Sequence, residues 1–388
     1  MQTTDKDRFT DPPADADIHV SERACVCPPL LRQAADELRL YIDGDELYDA
    51  MLESIATASQ RIQLESYIFA DDAVGQRFIK ALTERSRAGI NVQVHIDAAG
   101  SMFFMSRHLK HKLREAGIRL RWFHKWHWRF PLRYNRRNHR KLLVVDEQIA
   151  YVGGFNIHNE SSKVISGKRH WRDTHVRFTG ALAAQAAQLF DRFWQGERHW
   201  MPVSLPGASS ELLPNYSRQC RQQLRCVFSD MFDRAKQSIY LSTPYFVPDR
   251  RTRKLLSSIA RRGVDVRLLV PRESDVLLAR WASQAVYTEL LKSGVKIYEY
   301  LPRLLHAKTI VVDANYATVG TANIDYRSYF VNYELNLFTR DTLICKQLYK
   351  QFMLDLESSE EIKIIQWSKR IWITHLFEML GWFVRKLL

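Results

Sequence analysis

Residues 139–156 read HRKLLVVDEQIAYVGGFN, and residues 306–323 read HAKTIVVDANYATVGTAN. Both obey His-x-Lys-x4-Asp-x6-Gly-[Gly/Thr]-x-Asn without a gap. In each copy a short apolar run, LLVV at 142–145 and TIVV at 309–312, reads as a buried strand. A turn follows, then a second apolar run that ends at glycine. Histidine and lysine two residues apart on extended backbone point to the same side. Each copy therefore offers an imidazole and an ammonium together, with an asparagine from the next turn.

The likeness continues upstream, so the chain contains one unit twice. Residues 61–69 (RIQLESYIF) correspond to 238–246 (SIYLSTPYF), and both are strand-like. Helical spacing follows in each half, at Phe78, Ile79, Ala81 and Leu82 and at Leu255, Leu256 and Ile259. A glycine then ends the helix and a short apolar strand begins, at Gly89 and at Gly263. Strands alternating with helices imply a mixed sheet covered on both faces. The expected fold class is α/β, with two pseudo-symmetric α/β/α sandwich domains and one active site at their interface. The expected parts are a flexible tail at 1–35, a first domain at 36–205, a second at 206–358 and an amphipathic helix at 359–388. The Pro-, Gly- and Ser-rich stretch 201–210 marks the boundary between the two domains.

A histidine, a lysine and an asparagine make a phosphate site that needs no metal. The lysine is a point charge for non-bridging oxygens, and the asparagine amide donates a further hydrogen bond. Two copies bring two histidines, which can divide nucleophile and acid duties across one phosphorus.

Composition points the same way without choosing a substrate. The chain has 57 Lys and Arg against 43 Asp and Glu, a formal charge of +14, so nucleic acid, anionic lipid and phosphorylated small molecules all suit it. Its 46% hydrophobic content excludes a disordered protein. Five cysteines at irregular spacing argue for reduced thiols, and Cys25 and Cys27 have no second pair at zinc-like spacing. No metal and no cofactor is expected. No run of about twenty apolar residues is present, so membrane contact is expected from the surface.

The paired motifs resemble those of the phospholipase D superfamily, and the resemblance covers about residues 40–357. It implies two α/β domains whose motifs meet, one histidine attacking a phosphodiester and the other protonating the leaving alcohol. Carried over position by position, the site comprises His139, Lys141, Asn156, His306, Lys308 and Asn323. Asp173 and Glu334 are similar to family acids that orient the histidines, each followed by a matching Phe-Thr, at 178–179 and 338–339. Asp146 and Asp313 match positions that hold local structure. His139 is taken as nucleophile and His306 as acid, although the pseudo-symmetry leaves that assignment open.

Several stretches are similar to bacterial cardiolipin synthases, of the branch lacking N-terminal transmembrane helices. They are Tyr67-Ile-Phe with Asp72, residues 97–101 (DAAGS), 242–248 (STPYFVP), 294–300 (GVKIYEY) and 323–328 (NIDYRS). Gly154, where the superfamily often has serine or threonine, also resembles that family. The resemblance implies a phosphatidyltransferase that joins two phosphatidylglycerol molecules and releases glycerol. A phosphodiesterase acting on nucleic acid, or hydrolysing phospholipid, is the alternative.

Membrane contact is expected at two places. In residues 362–388, Ile365, Trp372, Leu376, Met379, Leu380, Phe383 and Leu387 form a helical stripe, with Trp367, Trp372 and Trp382 at headgroup level. The basic-aromatic run 122–137, with Trp122, Trp126 and Trp128, could rest on headgroups or stack with single-stranded nucleic acid. His124 and His127 belong to that surface. Expected partners are phosphatidylglycerol, other phospholipids and an anionic membrane surface, with no nucleic acid; the expected location is peripheral, on the cytoplasmic face of a bacterial inner membrane. Oligomeric state is not legible.

Overall fold

The computed structural model describes residues 37–385 apart from 127, 130–133, 199–201, 204–206 and 216–217. The tail at 1–35, Cys25, Cys27, His127 and Leu387 lie outside the described residues. In the first half the strands are β1 (Leu38–Tyr41), β2 (Arg61–Ser66), β3 (Asn91–Asp97), β4 (Arg119–Phe123), β5 (Leu142–Val145), β6 (Ile149–Gly153) and β7 (His175–Thr179). The second half supplies β8 (Ser210–Pro214), β9 (Ser238–Ser242), β10 (Phe246–Val247), β11 (Asp265–Pro271), β12 (Lys296–Tyr300) and β13 (Thr309–Val312). It continues with β14 (Tyr316–Gly320), β15 (Ile324–Asp325), β16 (Leu335–Thr339) and β17 (Ser359–Glu361).

The two sheets share one topology. Their orders are β1-β7-β6-β5-β2-β3-β4 and β17-β12-β11-β9-β13-β14-β16-β8, the second read in reverse and extended by β17. In each, the strand after the first crossover helix runs parallel to its neighbour, β2 with β3 and β9 with β11. The motif strands then join antiparallel, β5 against β2 and β13 against β9. The short parallel pair β10–β15 has its counterpart in the bridge of Phe69 to Ile157.

Both crossover helices start where an aspartate accepts a backbone N–H. Asp72 caps Ala73–Arg87 through Gly75, and Asp249 caps Arg250–Arg261 through Thr252. Phe78, Ile79 and Leu82 of the first, and Leu256 and Ile259 of the second, are buried against their sheets. The opposite faces of both sheets meet in a common core. Leu142, Val152 and Phe178 pack there with the helix Gly180–Gln195, while Val319, Leu337 and the helix Thr342–Glu357 enter from the other half. The halves are thus two lobes of one compact unit. β8 begins at Ser210, the last residue of the stretch read as the boundary, and pairs with β16.

The C-terminal segment differs from its reading as one helix. It forms two, Ile364–Ser368 and Ile373–Val384, joined by a turn in which Arg370 donates to the Trp367 carbonyl. The break turns Trp367 inward, where it is buried beside Tyr287 and donates to the Thr288 hydroxyl. Trp382 packs partly buried on the same core under Arg253 and Arg385. Trp122, next to last in β4, is half-buried on the first core with Lys110 over its ring. These three tryptophans therefore do not face outward as expected, whereas Trp126, Trp128 and Trp372 are exposed. Among the described residues no helix is long and apolar enough to cross a membrane.

Candidate active site

Each motif begins on extended backbone just before its strand and leaves its own sheet to bridge the other half. Asn138 bridges Tyr333, and the His139 N–H donates to the Tyr333 carbonyl at 2.9 Å. Leu305 bridges Arg172, and the His306 N–H donates to the Arg172 carbonyl at 2.7 Å. The residue after each bridging partner is an acid, so each imidazole meets the carboxylate of the opposite half. His139 Nδ1 lies 2.9 Å from Glu334 Oε2, and His306 Nδ1 lies 2.5 Å from Asp173 Oδ2. A carboxylate at Nδ1 fixes the proton there and leaves Nε2 for substrate.

His139, His306, Asn156 and Asn323 line one cavity of about 340 Å³. Lys141 Nζ donates to the His139 carbonyl at 2.8 Å, and Lys308 Nζ donates to the His306 carbonyl and lies 2.9 Å from His306 Nδ1. Asn156 Oδ1 accepts from the Ile68 N–H, and Asn323 is held through its own N–H by Ser328. All eight residues brought together here were named from sequence. The cavity wall also holds Tyr67, whose ring stands edge-on to His139 at 5.0 Å, and Trp171, tilted against His306 at 4.9 Å.

The two carboxylates are set differently. Glu334 also accepts from the Thr321 and Ser328 hydroxyls at 2.6 and 2.9 Å. Asp173 instead fills the space beside Gly154, where a Cβ would meet its Oδ1 at 2.0 Å. The motif position that carries a hydroxyl in one half must therefore be empty in the other. That gives the Gly-Gly pair a steric reason.

Electrostatics follow from burial. Burial, joined by Lys141 and Lys308, lowers the His139 pKa against the pull of Glu334. Burial and then Lys308 push His306 down to about 4, against Asp173. Burial and then Lys308 bring Lys141 down to about 7, and burial lowers Lys308. Burial works to raise Asp173 and Glu334, but Lys308 and His306 overcome it at the first, and His139 with its hydrogen bond at the second. The acids are thus carboxylates, the imidazoles are neutral, and a phosphate anion would favour protonation of one of them.

Asp146 and Asp313 lie away from the cavity. Each sits at the hairpin turn after its motif strand with φ near 50°, and Glu147 and Ala314 share that left-handed conformation. The Asp146 carboxylate accepts the N–H groups of Ser59, Gln60 and Arg61; Asp313 accepts those of Lys236, Gln237 and Ser238. Both acids therefore tether the turn to the start of the neighbouring strand. Asp97 is likewise occupied, by the N–H groups of Ala99, Gly100 and Asn138. Sequence reasoning missed Arg140, fully buried 3.0 Å from Glu65 and lying over Phe193. Its place directly after His139 was the available signal.

Two sheets of one topology that carry paired His-x-Lys motifs to a shared cavity make a phospholipase D-type fold. A solved structure of phosphatidylserine synthase from Haemophilus influenzae Rd KW20 superposes with a TM-score of 0.70, covering 90% of this chain and 95% of that one. Polyphosphate kinase from Porphyromonas gingivalis gives 0.59, over 84% of this chain and 48% of that one. At 13% and 15% identity these establish the fold alone. Residues 51–194 and 228–356 match the family described as "Cardiolipin synthase, PLD-like domain", and the chain belongs to that family. It is 32% identical over 363 residues to a cardiolipin synthase of Clostridium perfringens, covering 88% of this chain and 75% of that protein. It is 34% identical over 348 residues to cardiolipin synthase 2 of Bacillus anthracis, covering 86% and 67%.

Proposed function

We propose that this chain transfers a phosphatidyl group from one phosphatidylglycerol to another, forming cardiolipin and releasing glycerol. The observation that carries the reading is a single cavity lined by both motif histidines, each with Nδ1 held by a carboxylate. His139 Nε2 attacks phosphorus, and the bond to the glycerol oxygen breaks as that oxygen takes a proton from His306. An acceptor hydroxyl then returns a proton to His306 while its oxygen displaces His139. Glu334 and Asp173 hold the rings in line and stabilise the imidazolium that each step creates. Lys141 and Lys308 lie in a dry setting, where a bound phosphate anion favours their charged forms and that positive charge acts strongly on the charge developing at phosphorus.

The protein acts at a membrane surface, attached from the cytoplasmic side. Trp372, Leu376, Met379 and Phe383 are exposed on or beside the helix Ile373–Val384. That helix packs closely on Leu277–Gln284, where Gly381 lets the two backbones meet. Exposed Val276 at the start of this neighbour also lines the cavity, so the apolar surface continues to its mouth. An apolar face with basic flanks suits the headgroup region of anionic lipid.

The test is incubation of the purified protein with phosphatidylglycerol vesicles and, separately, with DNA, followed by mass spectrometry. Cardiolipin together with free glycerol is the expected product. Cleaved DNA beside untouched lipid would replace this reading with a nuclease.

A further inference from the structure

One wall of the cavity carries a charge that a phosphodiester should avoid. Asp275 lines it beside His306, Trp171 and Tyr245. The Tyr245 hydroxyl reaches both oxygens of Asp275 at 2.7 Å. A single hydroxyl proton uses little of a carboxylate, which offers about four acceptor positions. Asp275 is exposed at the turn after β11, so its remaining capacity is open to whatever occupies the mouth.

The position of this charge is selective. It acts on His306 and Lys308, raising the pKa of both, and so belongs to the half of the cavity where the alcohol oxygen exchanges its proton. Repulsion between Asp275 and the reacting phosphate weakens substrate binding unless the carboxylate gains partners from another part of the substrate. The glycerol of phosphatidylglycerol carries free hydroxyl donors a few atoms from phosphorus. A Tyr–Asp pair on the cavity wall is suited to accept them, and a hydroxyl-poor alcohol would forgo those bonds.

We propose that Asp275, held in place by Tyr245, determines headgroup specificity by accepting hydrogen bonds from the hydroxyls of glycerol. The inference rests on the phosphatidyl-transfer reading and adds the part of the substrate that is recognised. In the first step the P–O bond to glycerol breaks and the leaving oxygen receives the His306 proton, while Asp275 holds the remaining hydroxyls. In the second step an acceptor glycerol occupies the same place; its hydroxyl gives its proton to His306, the new P–O bond forms and the bond to His139 breaks. Asp275 takes no part in proton transfer.

Competition between alcohols isolates this role. The full chain is supplied with phosphatidylglycerol and an equimolar mixture of deuterated glycerol and ethanol, and mass spectrometry measures exchanged phosphatidylglycerol against phosphatidylethanol. The ratio cancels any general loss of turnover. Asp275→Ala is expected to lower the glycerol-to-ethanol ratio by about tenfold, the loss of a hydrogen bond to a charged group. An unchanged ratio overturns the proposal. If that variant forms neither product, Asp275→Asn decides by the same ratio, with a fall of several-fold, roughly the same kind of loss in part, expected. Wild-type protein that makes phosphatidylethanol but no cardiolipin would defeat the synthase reading while leaving the ratio test standing.

Discussion

Replacing Gly154 with alanine tests whether Asp173 works by holding His306 in position. The added Cβ would lie 2.0 Å from Asp173 Oδ1, 2.5 Å from Cγ and 2.6 Å from Oδ2, where carbon contacts under 3.0 Å are essentially never seen. The carboxylate must therefore retreat by about 1 Å. Its backbone cannot follow freely, because the Arg172 carbonyl accepts from His306 and the Gly154 N–H is bonded to the Thr174 carbonyl. The 2.5 Å contact from Asp173 to His306 then stretches toward the limit of a hydrogen bond. A hydrogen bond to a charged group contributes about 1.5–3 kcal/mol, or roughly 10- to 150-fold in rate. We expect kcat for cardiolipin formation to fall by that factor with little change in KM. The basic limb of the pH–rate profile should also move to lower pH, since Asp173 is what raises His306. Gly153→Ala is the control: its Cβ would strike the His175 backbone at 2.5 Å, so it should lower the melting temperature through packing. A Gly154→Ala protein with wild-type kcat and an unmoved pH profile would refute the positioning role.

Other outcomes follow from the same geometry. With His306 near pKa 4 and His139 lowered, both imidazoles are neutral at pH 7.5, so binding of a phosphodiester anion should be accompanied by uptake of a proton by the protein. Calorimetry with dimethyl phosphate in two buffers of different ionisation enthalpy should show that uptake, with affinity falling as pH rises; pH-independent binding would contradict it. His175 is buried, with neither ring nitrogen hydrogen-bonded, and burial pushes it down to about 3. The unfolded chain, with histidine near 6.5, binds more protons between those values, so stability should drop as pH falls through that window. His175→Asn, which copies Asn336 of the second half, should shrink the loss of urea midpoint between pH 7.5 and pH 5. Trp372→Ser with Phe383→Ser should weaken binding to phosphatidylglycerol vesicles by roughly tenfold or more while leaving the melting temperature within a few degrees. Equal vesicle binding would remove the proposed role of that face.

Much of this arrangement could be read from the chain because it is written twice. Identical spacing from histidine to asparagine located both strand pairs, and the family resemblance pointed to Asp173 and Glu334, with their shared Phe-Thr endings in support. The crossing of acids between halves was not legible, since it depends on Asn138 and Leu305 leaving their own sheets to bridge Tyr333 and Arg172. Aromatic residues in basic surroundings misled for a different reason. Composition marks a residue as suited to an interface, but Trp122, Trp367 and Trp382 point inward because strand alternation and a helix break set their direction. Asp275 carries no repeated pattern, and only the folded cavity brings it and Tyr245 beside His306.

The exchange of carboxylates has a consequence for a chain made from its N-terminus onward. When only the first half has been synthesised, His139 exists without Glu334 behind it, and Asp173 waits for an imidazole not yet translated. Reagents able to cleave the lipids of the cell's own membrane are therefore held apart during synthesis, and become competent together when the second lobe docks.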